Sequence, residues 1–150
     1  MIRKGDHEDI KTCIEIGKKI LSMSLAHDCE VDETKAIKAF RRSLSDKNMA
    51  LFVAQKADQV VGFLLAIKDE HWFSKASYGT DLAFCVLPEH SDQGVWLLRR
   101  FIRWCKSLNL PIAMGLSTGM DIEGRTSQMY EAHGLKNVGG MHATIKQVKK

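Results

Sequence analysis

The run Leu82–Leu98, LAFCVLPEHSDQGVWLL, passes from a strand-like apolar stretch through Pro88 and a polar turn to Gly94 and a helix-like stretch. A strand that turns into a helix in this way leaves backbone N–H groups pointing out of the helix N-terminus. Such groups bind anions, at about 0.3–1 kcal/mol per exposed charge. One glycine does not make a phosphate loop, so an ordinary strand-to-helix turn competes with that reading. Metal chemistry has little support. Cys13, Cys29, Cys85 and Cys105 form no C-x-x-C pair, and His7, His27, His71, His90, His133 and His142 show neither H-E-x-x-H nor paired spacing. No metal is therefore expected. Three of the cysteines lie in apolar stretches, as reduced core thiols do, which indicates a cytoplasmic protein. Arg99, Arg100, Arg103 and Lys106, with Lys146, Lys149 and Lys150 in the tail, could attract nucleic acid or the phosphate of a small ligand, but a solvated helix face explains them more simply. Trp72 and Phe73, between Lys68 and Lys75, could stack a base, wall a site or cover a small core.

The elements that must hold these residues follow from apolar spacing. Ile10, Cys13, Ile14, Gly17, Ile20 and Leu21 predict a helix capped by Asp6, after an edge strand at Met1–Ile2. Asp32 opens a second helix with Ala36, Ile37, Phe40 and Leu44 inward. The runs Leu51–Gln55 and Gln59–Lys68 form an antiparallel hairpin across Lys56–Asp58, its second strand buried on both faces. Tyr78–Leu87 is a strand stopped by Pro88, Gly94–Leu108 a helix and Pro111–Leu116 a strand, which together make one parallel crossover. Asp121–His133 is a weaker helix ending at Gly134, and Val138–Val148 adds a last strand or hairpin. This order predicts a mixed α/β (α+β) sheet, mostly antiparallel.

With 150 residues, 45% hydrophobic and 27% charged, the chain is expected to form one domain spanning residues 1–150. Its longest apolar run, Val60–Ile67, is far short of the roughly 20 residues that a membrane span needs. The start, MIRKGDHEDI, has no apolar segment that could serve as a secretory signal, so none is expected. The formal charge of +4 hints at polyanions without requiring them.

Placed beside the first segment, Met129-Tyr130-Glu131-Ala132-His133-Gly134-Leu135 resembles the closing motif of the GNAT superfamily of N-acetyltransferases, Leu-Tyr-Glu-x-x-Gly-Phe. Val86-Leu87-Pro88-Glu89-His90-Ser91-Asp92-Gln93-Gly94-Val95-Trp96 is similar to that superfamily's V-x-P-x-x-R/Q-x-x-G-x-G/A motif. The resemblance covers nearly the whole chain, and Gly115–Met120 looks most like short phage or prophage members. It implies a sheet whose strand ending at Leu87 splays from Ile112–Leu116, with helices on both faces.

It also implies acetyl-CoA as co-substrate. The pantetheine arm would bind like an added strand along Cys85, Val86 and Leu87, and the pyrophosphate would bind at Ser91, Asp92, Gln93, Gly94, Val95 and Trp96. Two residues depart from the motif: Ser91 replaces Arg or Gln, and Trp96 replaces a small residue. The indole either turns into the core, leaving the amides of Gln93, Gly94 and Val95 usable, or crowds the pyrophosphate.

Direct transfer needs a neutral amine, a polarised thioester carbonyl and a proton for the thiolate. A backbone N–H near Val86 supplies the second. Tyr130 occupies the position from which family tyrosines serve the third, or else it only packs a helix face. Asp81 lies on the strand where one branch of the superfamily carries a glutamate base, or else it bonds a loop amide. An ordinary Asp near 3.9 faces an amine near 10, a cost of about 4 kcal/mol at pH 7, so it would act through burial, water or cation attraction. Glu70, His71 and His27 are further base candidates. The acceptor is an amine on a small molecule or a protein, with Ser22–Val31 and Asp69–Ser77 selecting it; nucleic acid and membrane are not expected partners, and the protein is a monomer or homodimer. The competing function is a catalytically degraded binding module, and a smaller third reading is transfer to a modified nucleobase.

Overall fold

Two long apolar runs, buried on both faces, set the architecture. The computed structural model describes residues 1–24, 29–115, 124–140 and 142. Strands β1 (Ile2–Lys4), β2 (Met49–Lys56), β3 (Gln59–Glu70) and β4 (Ser77–Val86) form one antiparallel sheet in the order β1-β2-β3-β4. The hairpin of β2 and β3 pairs Lys56 with Gln59, so its loop is the two residues Ala57 and Asp58, with Ala57 at φ 53°. Alternation along the strands divides the core. Leu51, Val53, Phe63, Leu65 and Cys85 face α1 (Ile10–Leu21) and α2 (Glu33–Ser45). Phe40 of α2 meets Phe63 edge-on, with ring centroids 5.3 Å apart. Phe52, Ala54, Leu64 and Ala66 face α3 (Gln93–Ser107), whose Leu97, Leu98, Phe101 and Cys105 are fully buried. Helices therefore cover both faces, as expected. Among the described residues, no helix is long and apolar enough to cross a membrane.

The N-terminus differs in detail from expectation. Asp6 caps a single 3-10 turn, His7–Asp9, and α1 continues from it. Asp9 is drawn there by Arg3, whose guanidinium donates to both carboxylate oxygens at 2.8 and 2.9 Å, and by the Asp6 N–H at 2.8 Å. The inward stripe of α1 also includes Ile16, because the helix lies across both β3 and β4.

The crossover after α3 is shorter than the expected strand Pro111–Leu116. It is one parallel bridge between Gly79 and Ile112, in which Gly79 N–H donates to Pro111 O at 2.8 Å and Ala113 N–H to Gly79 O at 3.0 Å. Residues 113–115 form no strand. Gly79 is needed here: a Cβ would lie 2.4 Å from the Cys105 Sγ.

Helix α4 (Arg125–Ala132) follows Gly124, at φ 69°; Asp121, the expected start, lies outside the described residues. The helix closes as its sequence predicts, at Gly134 with φ 84°, where Leu135 N–H reaches back to Tyr130 O at 3.1 Å. Residues 138–140 and 142 are irregular, and the other residues of the expected final strand lie outside the described residues.

Candidate active site

Strand β4 carries a bulge. Leu65 pairs with Ala83 and Ala66 with Asp81, so Leu82 is the extra residue. Bulges re-aim neighbouring side chains, and here the bulge sits beside Asp81. Asp81 is close enough to Cys85 to reinforce what burial does to that thiol, which is pushed up to about 12. Towards the strand's end, Leu87 N–H donates to Val61 O at 2.9 Å. Strand alternation then turns the backbone groups of Cys85 towards β3 and those of Phe84 and Val86 to the outer side of β4. Of Cys85, Val86 and Leu87, Val86 is the one that offers its N–H and C=O outward.

Pro88–His90 form one 3-10 turn, made by His90 N–H to Leu87 O at 2.8 Å, and α3 follows. Gly94 N–H donates to Ser91 O at 3.1 Å, whereas Gln93 and Val95 belong to a first turn whose N–H groups lack intrahelical acceptors. No side chain caps that turn. Asp92 instead accepts from the Gln93 side-chain amide at 2.9 Å, which, with Lys56 and His90 nearby, holds its carboxyl below the usual range. Ser91 is exposed and supplies no cation. Lys56, absent from any sequence motif, brings positive charge to this turn through the hairpin.

The segments converge at Gly94. A Cβ there would meet Met129 Sδ and Phe84 Cζ at 3.9 Å and Val86 Cγ2 at 4.0 Å. The end of β4, the start of α3 and the middle of α4 therefore share one place. Next to Met129, Tyr130 packs against the α3-side core and donates its hydroxyl to Gly115 O at 3.1 Å, on the segment that follows the crossover bridge.

Trp96 does not enter the core. Its indole is 51% exposed and lies under the Arg99 guanidinium, 4.8 Å from the ring centroid. Arg99 Nε donates to His133 Nε2 at 3.2 Å, so this cation joins α3 to the end of α4. The basic helix face is thus not uniform: Arg100 lies over the Phe52 ring at 5.5 Å, and Arg103 and Lys106 point to solvent.

The remaining base candidates sit elsewhere. Glu70 ends β3, and the His71 ring packs edge-on against Phe73 at 4.0 Å, at the opposite end of β4 from Pro88. Trp72 and Phe73 are exposed at 89% and 68%, so they form no core. His27, Lys146, Lys149, Lys150 and most of Gly115–Met120 lie outside the described residues. Among the described residues, no group of His, Cys, Asp and Glu could hold a metal ion.

The antiparallel sheet is thus clad by helices on both faces, with the outward end of β4 beside the uncapped first turn of α3. The family model for the Acetyltransferase (GNAT) family matches residues 16–135. The chain belongs to that family. No curated protein sequence matches significantly. Among solved structures, an apo aminoglycoside 6'-N-acetyltransferase, AAC(6')-IG from Acinetobacter haemolyticus, is similar with a TM-score of 0.71 at 16% identity, covering 99% of both chains. A predicted acetyltransferase with acetyl-CoA from Clostridium acetobutylicum matches at TM-score 0.71 and 17% identity, covering 96% of this chain and 94% of that one. A transcriptional regulator from Bacillus halodurans C-125 matches at 0.69 and 20%, covering 99% of both.

Proposed function

We propose that this chain is an acetyl-CoA-dependent N-acetyltransferase that passes the acetyl group directly to an amine on a small molecule or a protein within a ternary complex. The observation that carries the reading is the convergence at Gly94 of the outward edge of β4, the uncapped turn of α3 and the helix that bears Tyr130. These donors fit the coenzyme: Val86 can pair with an amide-bearing arm, and the amides of Gln93 and Val95 can receive a pyrophosphate. When bound, acetyl-CoA supplies an activated thioester. Val86 N–H polarises its carbonyl, and the Tyr130 hydroxyl delivers a proton to the departing sulfur as C–N forms and C–S breaks. Asp81, beside the bulge, draws the cationic acceptor and takes its proton through water. Free, mostly buried thiols suit work in the cytoplasm.

The test is thermal unfolding with acetyl-CoA. At 100 times its dissociation constant the ligand adds about 2.7 kcal/mol, which is roughly 5–10 °C for a chain of this size. A melting temperature unmoved by millimolar acetyl-CoA would sink the proposal.

A further inference from the structure

Trp96 is an oddity of placement. Its neighbours Leu97 and Leu98 are fully buried, yet the largest side chain of that turn is half exposed. The Arg99 guanidinium lies over its ring. Arg99 is itself pinned. His133 Nδ1 sits 2.8 Å from Met129 O, a carbonyl that can only accept, so the proton is on Nδ1. His133 Nε2 is then the acceptor for Arg99 Nε, and the imidazole is neutral. Among the described residues, no carboxylate pairs with Arg99, and its terminal nitrogens make no hydrogen bond. Side chains on a helix lean towards its N-terminus, so indole and guanidinium both lean towards the uncapped turn.

A half-exposed aromatic ring backed by a cation with no carboxylate partner, beside amides suited to a pyrophosphate, suits a planar base that carries a further phosphate. We infer that Trp96 and Arg99, held by His133, form the shelf for the nucleotide end of the coenzyme, with the indole stacking on adenine and Arg99 pairing with the ribose 3′-phosphate. The inference rests on the acetyl-CoA reading above. It makes Trp96 an affinity determinant where the family motif has a small residue.

The test is titration calorimetry of the full chain with coenzyme A, 3′-dephospho-coenzyme A and 4′-phosphopantetheine. Base stacking is worth about 1–3 kcal/mol. Trp96→Ala should therefore weaken coenzyme A on the order of tenfold, leave phosphopantetheine unchanged, and be partly rescued by Trp96→Phe. Arg99→Met should erase the preference of the wild type for coenzyme A over its 3′-dephospho form. In wild type, but not Trp96→Phe, coenzyme A should quench indole fluorescence. A purely structural role for the pair would weaken all three ligands alike, and a plugging role would make Trp96→Ala bind more tightly; either result overturns the inference. If wild type binds coenzyme A and the variants keep its ligand preferences, the inference alone falls. If wild type binds neither coenzyme A nor phosphopantetheine, the acetyl-CoA reading falls with it.

Discussion

Tyr130 already spends its proton on a backbone oxygen, donating to Gly115 O at 3.1 Å. Under the proposed chemistry that proton must be redirected to sulfur, so Tyr130→Phe should lower kcat by about 10²-fold or more while the acetyl-CoA dissociation constant stays within about twofold. Steady-state rates beside calorimetry decide this, and an unchanged kcat removes Tyr130 as the acid. Asp92 acts in the opposite sense on the cofactor. Its carboxylate, held charged by Gln93, stands by the helix amides that would bind phosphate. Asp92→Asn should tighten coenzyme binding about threefold at low salt, the gain fading as ionic strength rises. Asp9 concerns stability alone. Its side chain is 8% exposed, and Arg3 holds its pKa below the ordinary value. A depressed folded pKa gives stability that is present above the unfolded value near 3.9 and lost as pH falls through the folded one. Wild type should therefore lose urea resistance between about pH 5 and 2. Asp9→Asn should be weaker by on the order of 2 kcal/mol at pH 7 and lose less over that window.

Elements meet closely where α3 crosses β4. Gly79 admits the Cys105 side chain and also carries both hydrogen bonds of the parallel bridge. Gly79→Ala should cost about 1–3 kcal/mol by overpacking. Cys105→Ala removes the sulfur that a new Cβ would strike, so the double variant should be less destabilised than the sum of the singles. Urea midpoints of the four proteins measure the coupling, and strict additivity would place the strain elsewhere. Neither partner is conspicuous in sequence. Gly79 reads as an ordinary strand residue, and the approach of Cys105 depends on how closely α3 packs. The hairpin of β2 and β3, in contrast, was legible because apolar runs and a polar break are local signals. The crossover strand was overread for the same reason: Pro111–Leu116 is apolar, but among its described residues only Ile112 finds a bridge partner.

Over the whole molecule the cysteines report the integrity of the core. Burial pushes Cys13 and Cys85 up to about 12 and Cys105 up to about 11, while Cys29 is exposed. At pH 8 a disulfide reagent should modify one thiol at once and the other three only at the rate of unfolding. Faster reaction of a second thiol would reveal local opening of the sheet. The sequence alone determined the strand and helix types, the two-sided core, the turn at Pro88 and the family motifs around Gly94 and Tyr130, because these depend on periodicity and on residues close in the chain. The tertiary structure alone decided that Val86 is the outward residue of its trio, that Gly94 is where three elements meet, and that Trp96 lies outside against Arg99 and His133. Those facts depend on strand parity counted across a bulge and on contacts between residues far apart in the chain, such as Gly94 with Met129 and Arg99 with His133. Local pattern carries no record of either.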